Sequence, residues 1–303
     1  MAEYRIQNKE ISIMVNSFGA ELKSLKENAG NTEYMWNADP AYWKRTSPIL
    51  FPFVGSLKNK EYTYEGNSYP MSQHGFARDM EFELCEQTDK KLVFALVSNE
   101  ETKQKYPFDF RLEIAYELIE RKVLVYWNVY NEGQKNMYFS IGGHPAFMCP
   151  LEKGKKQTDC MIYMGMEKDS AISEGKENLD KVTSTVIGKT GLASERKIEY
   201  TLQNGLLPIT DHLFDDDALV IEHNQVQKVA FTTQDQFPYL TVSFDAPLFG
   251  IWSPPKMKAP FICIEPWYGR CDAENFEGDL AQREWGNRLA IGEKFASVYT
   301  IEV

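Results

Sequence analysis

Apolar residues recur at every second position along most of this chain, rather than every third or fourth. Ile11, Ile13 and Val15 alternate with other residues, as do Leu112, Ile114 and Tyr116. Residues 92–97 form an apolar run of buried-strand length, and 123–130 are rich in β-branched and aromatic side chains. The same signals predict strands over 197–202, 218–222, 229–233, 239–244, 261–264 and 296–303. The last puts Ser297, Tyr299 and Ile301 on one face. Turn residues punctuate the runs at Glu65-Gly66-Asn67, Asn131-Glu132-Gly133 and Asn204-Gly205. A long helical period with caps is absent, and short helices are expected only at 41–44 and 274–283. Many short strands joined by turns predict an all-β sandwich or barrel rather than a β-α-β fold. Neither a repeat nor a linker nor a shift in composition divides the chain, so 1–303 reads as a single domain.

Composition narrows the partners. At 43% hydrophobic and 13% aromatic, the 303 residues can bury a sizeable core. The 44 acidic and 33 basic residues give a net charge of −11, which repels phosphate backbones and anionic lipid. Nucleic acid and membrane are therefore not expected partners, and any local cation stands out. Cys85, Cys149, Cys160, Cys263 and Cys271 are odd in number and form no C-x-x-C pair, so neither a zinc cluster nor a disulfide framework is expected. With no apolar leader at the N-terminus and no run of about 20 apolar residues, the expectation is a cytoplasmic protein.

Four histidines are present, and two have unusual neighbours. His74 lies in Ser72-Gln73-His74-Gly75-Phe76-Ala77-Arg78, and His144 in Ile141-Gly142-Gly143-His144-Pro145-Ala146-Phe147. Glycine or proline beside a histidine marks a bend where backbone can approach a ligand, although each alone reads more readily as a hydrogen-bonded structural residue. His223 reads as a surface residue. Glu265 follows the apolar run 261–264 and precedes Pro266-Trp267. A carboxylate at a strand end against an aromatic is partly desolvated, which raises its pKa and suits a general base; a solvated strand-end glutamate fits the same residues. Arg45, between aromatics and an apolar run, is either a fork-shaped donor in a pocket or a snorkelling surface cation. Trp252 and Trp267 are stacking platforms for a sugar ring or core residues. The run Asp215-Asp216-Asp217 reads as a solvated turn, without the spacing of a calcium loop. P-loop, dinucleotide-binding, nucleophile-elbow and H-E-x-x-H motifs are all absent. Histidine, carboxylate and arginine without a nucleophile or metal motif point to proton transfer on a polar small molecule.

In this order along the chain, several segments resemble the aldose 1-epimerase (galactose mutarotase-like) family. They are Phe18-Gly19-Ala20-Glu21-Leu22, Arg45 with Phe51-Pro52, His74-Gly75-Phe76-Ala77-Arg78, Gly143-His144-Pro145-Ala146-Phe147, Asp211-His212-Leu213-Phe214 and Ile264-Glu265-Pro266-Trp267. The resemblance implies a large galactose mutarotase-like supersandwich with few short helices. It implies that Glu265 removes the C1 hydroxyl proton of an aldohexose while His144 protonates the ring oxygen. The ring then opens, C1–C2 rotates, and closure gives the other anomer. His74 and Arg45 would hold oxygens, and Asp211, or Asp245 in its place, would accept hydroxyl hydrogens; no cofactor or metal is implied. The His74–Arg78 and Arg45 segments also resemble the hexose-6-phosphate branch, in which Arg78 and Arg45 could meet a phosphate. If His74 lies on extended chain, Arg78 shares its face and Ala77 does not. The competing functions are a non-catalytic carbohydrate-binding protein, which needs no acid–base pair, and a glycoside hydrolase, which needs two carboxylates across a glycosidic bond.

Overall fold

A computed structural model describes residues 1–166 and 178–303. Two antiparallel sheets dominate it. In the nine-stranded sheet the order is Leu206–Pro208, Cys160–Gly165, Lys228–Thr233, Pro238–Phe244, Lys294–Glu302, Lys122–Asn131, Phe110–Ile119, Lys91–Val97 and Glu83–Gln87. The eight-stranded sheet runs Ala193–Thr201, Lys181–Ile187, Leu219–Ile221, Leu248–Trp252, Phe261–Tyr268, Ile141–Gly143 and Ile49–Leu50, with Ala146–Met148 also paired to Phe261–Tyr268. Side chains of the two sheets meet face to face: Phe244 on Phe249 at 5.0 Å, Trp127 on Tyr268 at 6.4 Å and Phe147 on Phe231 at 6.5 Å. The expected all-β sandwich is therefore observed, with a three-stranded sheet formed by Glu3–Gln7, Ile11–Asn16 and Glu21–Glu27 beside it.

Strand parity explains how the eight-stranded sheet supports a pocket. Ile262 and Ile264 point into the main core, as do Phe249, Ile251, Leu219 and Ile221. Their odd or even neighbours Cys263, Trp267, Leu248 and Val220 point to the opposite face, where two smaller apolar clusters form. Both faces of this sheet are covered. That is why its strands read as unbroken apolar runs rather than alternating ones.

Element boundaries depart from the sequence expectation in three places. Residues 41–44 form a turn, and 274–283 contain only the 3-10 turn Leu280–Gln282. Among the described residues the α-helix is Glu100–Lys105, too short to show a hydrophobic period but started by an Asn99–Thr102 capping box. The strand expected over 261–264 continues to Tyr268, so Glu265 stands in mid-strand rather than at an end. Pro266 cannot donate to a ladder and normally demotes a strand. Here it falls opposite Gly143, the last residue of Ile141–Gly143, where the pairing with that strand lapses before it resumes at Ala146. Among the described residues no helix is long and apolar enough to cross a membrane, and all five cysteines are free thiols.

Candidate active site

A cavity of about 280 Å³ opens on the outer face of the eight-stranded sheet. A larger open groove of about 890 Å³ crosses the N-terminal sheet, but neither histidine nor buried carboxylate lines it. The smaller cavity gathers His74, His144, Glu265, Asp217, Arg78, Arg270 and three tryptophans, Trp43, Trp252 and Trp267. Its size lies near the lower end of ligand pockets, roughly 300–1,000 Å³, which suits a monosaccharide.

Glu265 is 1% exposed and projects from mid-strand, opposite Gly250 on the neighbouring strand. Gly142 and Gly250 flank it on adjacent strands, and a Cβ on either would strike the Trp267 ring. Two absent side chains thus let that indole lie across the sheet as the pocket floor. Burial pushes the Glu265 carboxyl well above the usual carboxylate range, and the nearby Asp217 adds to the rise. The Trp267 indole opposes the rise without forming a hydrogen bond of ordinary geometry.

His144 sits in the strand break, its backbone N–H donating to Pro48 O at 3.1 Å. Its Nε2 lies 3.3 Å from Glu265 Oε1. Trp43 stacks on the imidazole at 4.7 Å, and Trp252 meets it edge-on at 5.5 Å. Burial pushes His144 down to about 3, its own backbone opposes this, and the Arg78 and Arg45 charges lower it further. At neutral pH the ring is uncharged.

His74 adopts a left-handed backbone, φ 68°, followed by Gly75 at φ 70°. Gly75 is required there, because a Cβ would strike the Phe51 carbonyl. The bend is tied twice to Gly55: His74 N–H donates to Gly55 O at 2.9 Å, and Gly55 N–H donates to His74 Nδ1 at 3.1 Å. Accepting at Nδ1 fixes the neutral tautomer with hydrogen on Nε2. Burial first, then His144, Arg78 and Arg45, hold this ring well below its usual pKa. The two imidazoles meet edge-on at 5.7 Å.

Arg78 reaches the pocket, but not by strand parity. Ala77–Asp79 is a 3-10 turn after the His74 bend, so the extended-chain expectation fails while its outcome stands. Its Nη2 donates to Gln73 O at 2.7 Å, and its buried Nε, without a hydrogen-bond partner, lies 3.7 Å from Asp79 Oδ2. Burial, reinforced by Arg45, lowers it to about 10, so it stays charged. Arg45 stands behind it, paired with Asp79 at 2.6 Å, and is not a lining residue. Its charge still reaches both histidines.

The aspartate expectation is corrected. Asp211 lies at a separate surface cavity, exposed and 3.3 Å from Lys258 Nζ. Asp245 is exposed and does not line the pocket. The aspartate in the pocket is Asp217, the last of the triple run read as a solvated turn. A left-handed backbone, φ 72°, turns it inward just before Leu219–Ile221. Burial raises its pKa, with the Trp252 indole and the Ala218 amide opposing. Its position immediately before an apolar strand was the available signal.

Arg270 and Glu222 also escaped the sequence reading. Arg270 lines one wall with every guanidinium nitrogen committed, to Glu222 at 2.6 Å, to Cys271 O at 2.9 Å and to Glu284. Burial raises Glu222, but bonds from Thr185, Arg270 and Lys197 outweigh it and hold the carboxylate at about 2. The pair is a rigid, neutralised wall, whereas Arg78 keeps an unused donor.

The aldose 1-epimerase family model matches residues 2–279. The chain is 31% identical over 272 residues to Protein LacX, in plasmid and chromosomal forms, of Lactococcus lactis subsp. lactis, covering 87% of each chain. Among solved structures it is similar to a galactose mutarotase related enzyme from Lactobacillus acidophilus, with TM-score 0.88, 32% identity, and 99% and 97% of the two chains covered. A galactose mutarotase-like protein from Lactobacillus casei superposes with TM-score 0.87 at 28% identity, covering 99% of both chains.

Proposed function

The chain belongs to the aldose 1-epimerase family, and from that premise we propose that it interconverts the α and β anomers of an aldohexose, free or 6-phosphorylated. The observation that carries the reading is the opposed, buried acid–base pair, His144 Nε2 and Glu265 Oε1 at 3.3 Å, on the wall of a monosaccharide-sized cavity.

Glu265 takes the C1 hydroxyl proton and His144 gives a proton to the ring oxygen, after which the ring opens and C1–C2 rotates. Closure on the other aldehyde face returns both protons, so each group serves as acid and as base. Their separate shifts, carboxyl up and imidazole down, reflect burial that disfavours both charges. The pair then holds one proton in its uncharged arrangement, and moving it from carboxyl to imidazole creates the reactive form. The His74 Nε2–H supports the ring oxygen or a neighbouring hydroxyl as a donor. Asp217 accepts from a hydroxyl, and the tryptophans cover the apolar faces of the sugar. Among the described residues that line this pocket, four buried side-chain atoms lack a hydrogen-bond partner: Arg78 Nε, His144 Nδ1, Glu265 Oε2 and Trp267 Nε1. A hydroxyl-rich ligand supplies complementary donors and acceptors.

Polarimetry of freshly dissolved α-glucose, α-galactose and their 6-phosphates, with and without protein, tests the reading. Acceleration of at least one sugar is expected, and spontaneous rates for all four would overturn it. Arg78→Ala addresses the phosphate. A KM increase confined to the 6-phosphate assigns Arg78 to that group, whereas an equal increase for both sugars assigns it to a hydroxyl.

A further inference from the structure

Cys263 takes no part in the proposed reaction, yet it lies beside the residues that do. It is two positions before Glu265 on one strand, so both side chains point to the same face. Cys263 is paired with Ala146, just beyond the break that carries His144. Ligating atoms of His144, Cys263 and Glu265 all lie within 4.8 Å of one another, and all three residues are buried. We propose that these three side chains form a binding site for a thiophilic divalent cation, with zinc the best fit, and that its occupancy blocks the active site.

The chemistry of the set supports this. A soft thiolate and a borderline imidazole beside a hard carboxylate make a mixed set that suits zinc, whereas magnesium and calcium take oxygen ligands. Bond lengths of about 2.0–2.3 Å put tetrahedral ligands roughly 3.3–3.7 Å apart. His144 and Glu265 already stand at 3.3 Å, and the Cys263 sulfur needs a shift of no more than about 1.5 Å to join them. Glu265 Oε2, buried and without a hydrogen-bond partner, is available to the cation. Binding releases the thiol and carboxyl protons to solvent, and the two resulting negative charges balance the cation. Three protein ligands leave a fourth coordination position unfilled by the protein, the arrangement of an open rather than a closed zinc site. Sugar and cation would then compete for Glu265 and His144. Metal occupancy itself follows from the geometry alone; only the inhibition rests on the proposed mutarotase reaction.

Titration of the metal-free protein with Co²⁺ tests occupancy without reference to turnover. Expected are the near-ultraviolet thiolate-to-cobalt charge-transfer band and the visible bands of four-coordinate cobalt, displaced by one equivalent of Zn²⁺. Cys263→Ser should abolish the charge-transfer band, while Cys149→Ser, at a buried thiol outside the site, should retain it. Zn²⁺ should inhibit mutarotation competitively with sugar. In Cys263→Ser its inhibition constant should rise by roughly 10–100-fold or more, the loss already typical of outer-sphere partners. If Cys263→Ser does not fold, by far-ultraviolet circular dichroism, Cys263→Ala serves in its place. No band in the wild type, or an undiminished band in the Cys263 variant, overturns the site. Binding with no inhibition overturns the block but leaves occupancy intact.

Discussion

The His144 imidazole and the Glu265 carboxyl face each other across 3.3 Å, one from a break in a strand and the other from the middle of its neighbour. The register is the same on both sides of the break, Gly142 opposite Trp267 and Ala146 opposite Cys263, so His144 stands directly across from Glu265. Directly opposed residues of an antiparallel pair point to the same face, which brings the two side chains together. Pro145, which cannot donate to a ladder, ends the pairing there. Proton transfer between the two needs no intervening atom.

Glu265→Gln should lose roughly 10²–10⁴-fold in mutarotation rate, the usual contribution of a general base. The amide preserves shape and can hydrogen-bond, so sugar binding should persist. Polarimetry with isothermal titration calorimetry checks both. Near-wild-type turnover in the folded variant would remove Glu265 from the role of base.

His144→Asn should be impaired to a comparable degree, because the ring oxygen needs a titrating donor. His74→Asn should keep more activity, since the neutral Nε2–H of His74 acts as a fixed donor. If His74→Asn proved the more damaging, the roles of the two histidines would be exchanged.

The proposed reaction requires one proton on the His144–Glu265 pair. Acid adds a second to His144, held down to about 3, and alkali removes the last from Glu265, raised well above 4.5. The acid limb of the rate profile should therefore lie well below pH 6.5. The same shift has a sign for stability. Unfolded His144 binds its proton near 6.5 and the folded residue only near 3. Its contribution is fully present above pH 6.5 and is lost as pH falls toward about 3. An acid limb at 6.5 would mean that the imidazole is not desolvated.

Asp217→Asn should raise KM for the sugar by roughly 10-fold, about 1.4 kcal/mol, with a smaller change in kcat. Asp211→Asn, at the exposed pair with Lys258, should leave both constants within about twofold, because surface ion pairs contribute little. Steady-state kinetics on the two variants decides between them. A KM effect at Asp211 and none at Asp217 would restore the sequence-based assignment.

Periodicity in the sequence determined the all-β class, and the neighbours of His74, His144 and Glu265 marked them as candidates. These are local properties: alternation follows from the strand itself, and glycine or proline beside a polar residue follows from backbone sterics. The aspartate was decided only by the tertiary structure. Only its place next to an apolar strand sets Asp217 apart from Asp215 and Asp216 in the sequence; the left-handed turn at Asp217 puts it at a cavity whose other walls come from distant strands. Arg78 reached the pocket through a 3-10 turn rather than by extended parity, because its backbone is fixed by the Phe51–Gly75 contact and not by a strand partner. Arg270 and Glu222 were invisible for the same reason. A buried ion pair is recognised by what surrounds it, and the sheet assembles those surroundings from residues far apart in the chain.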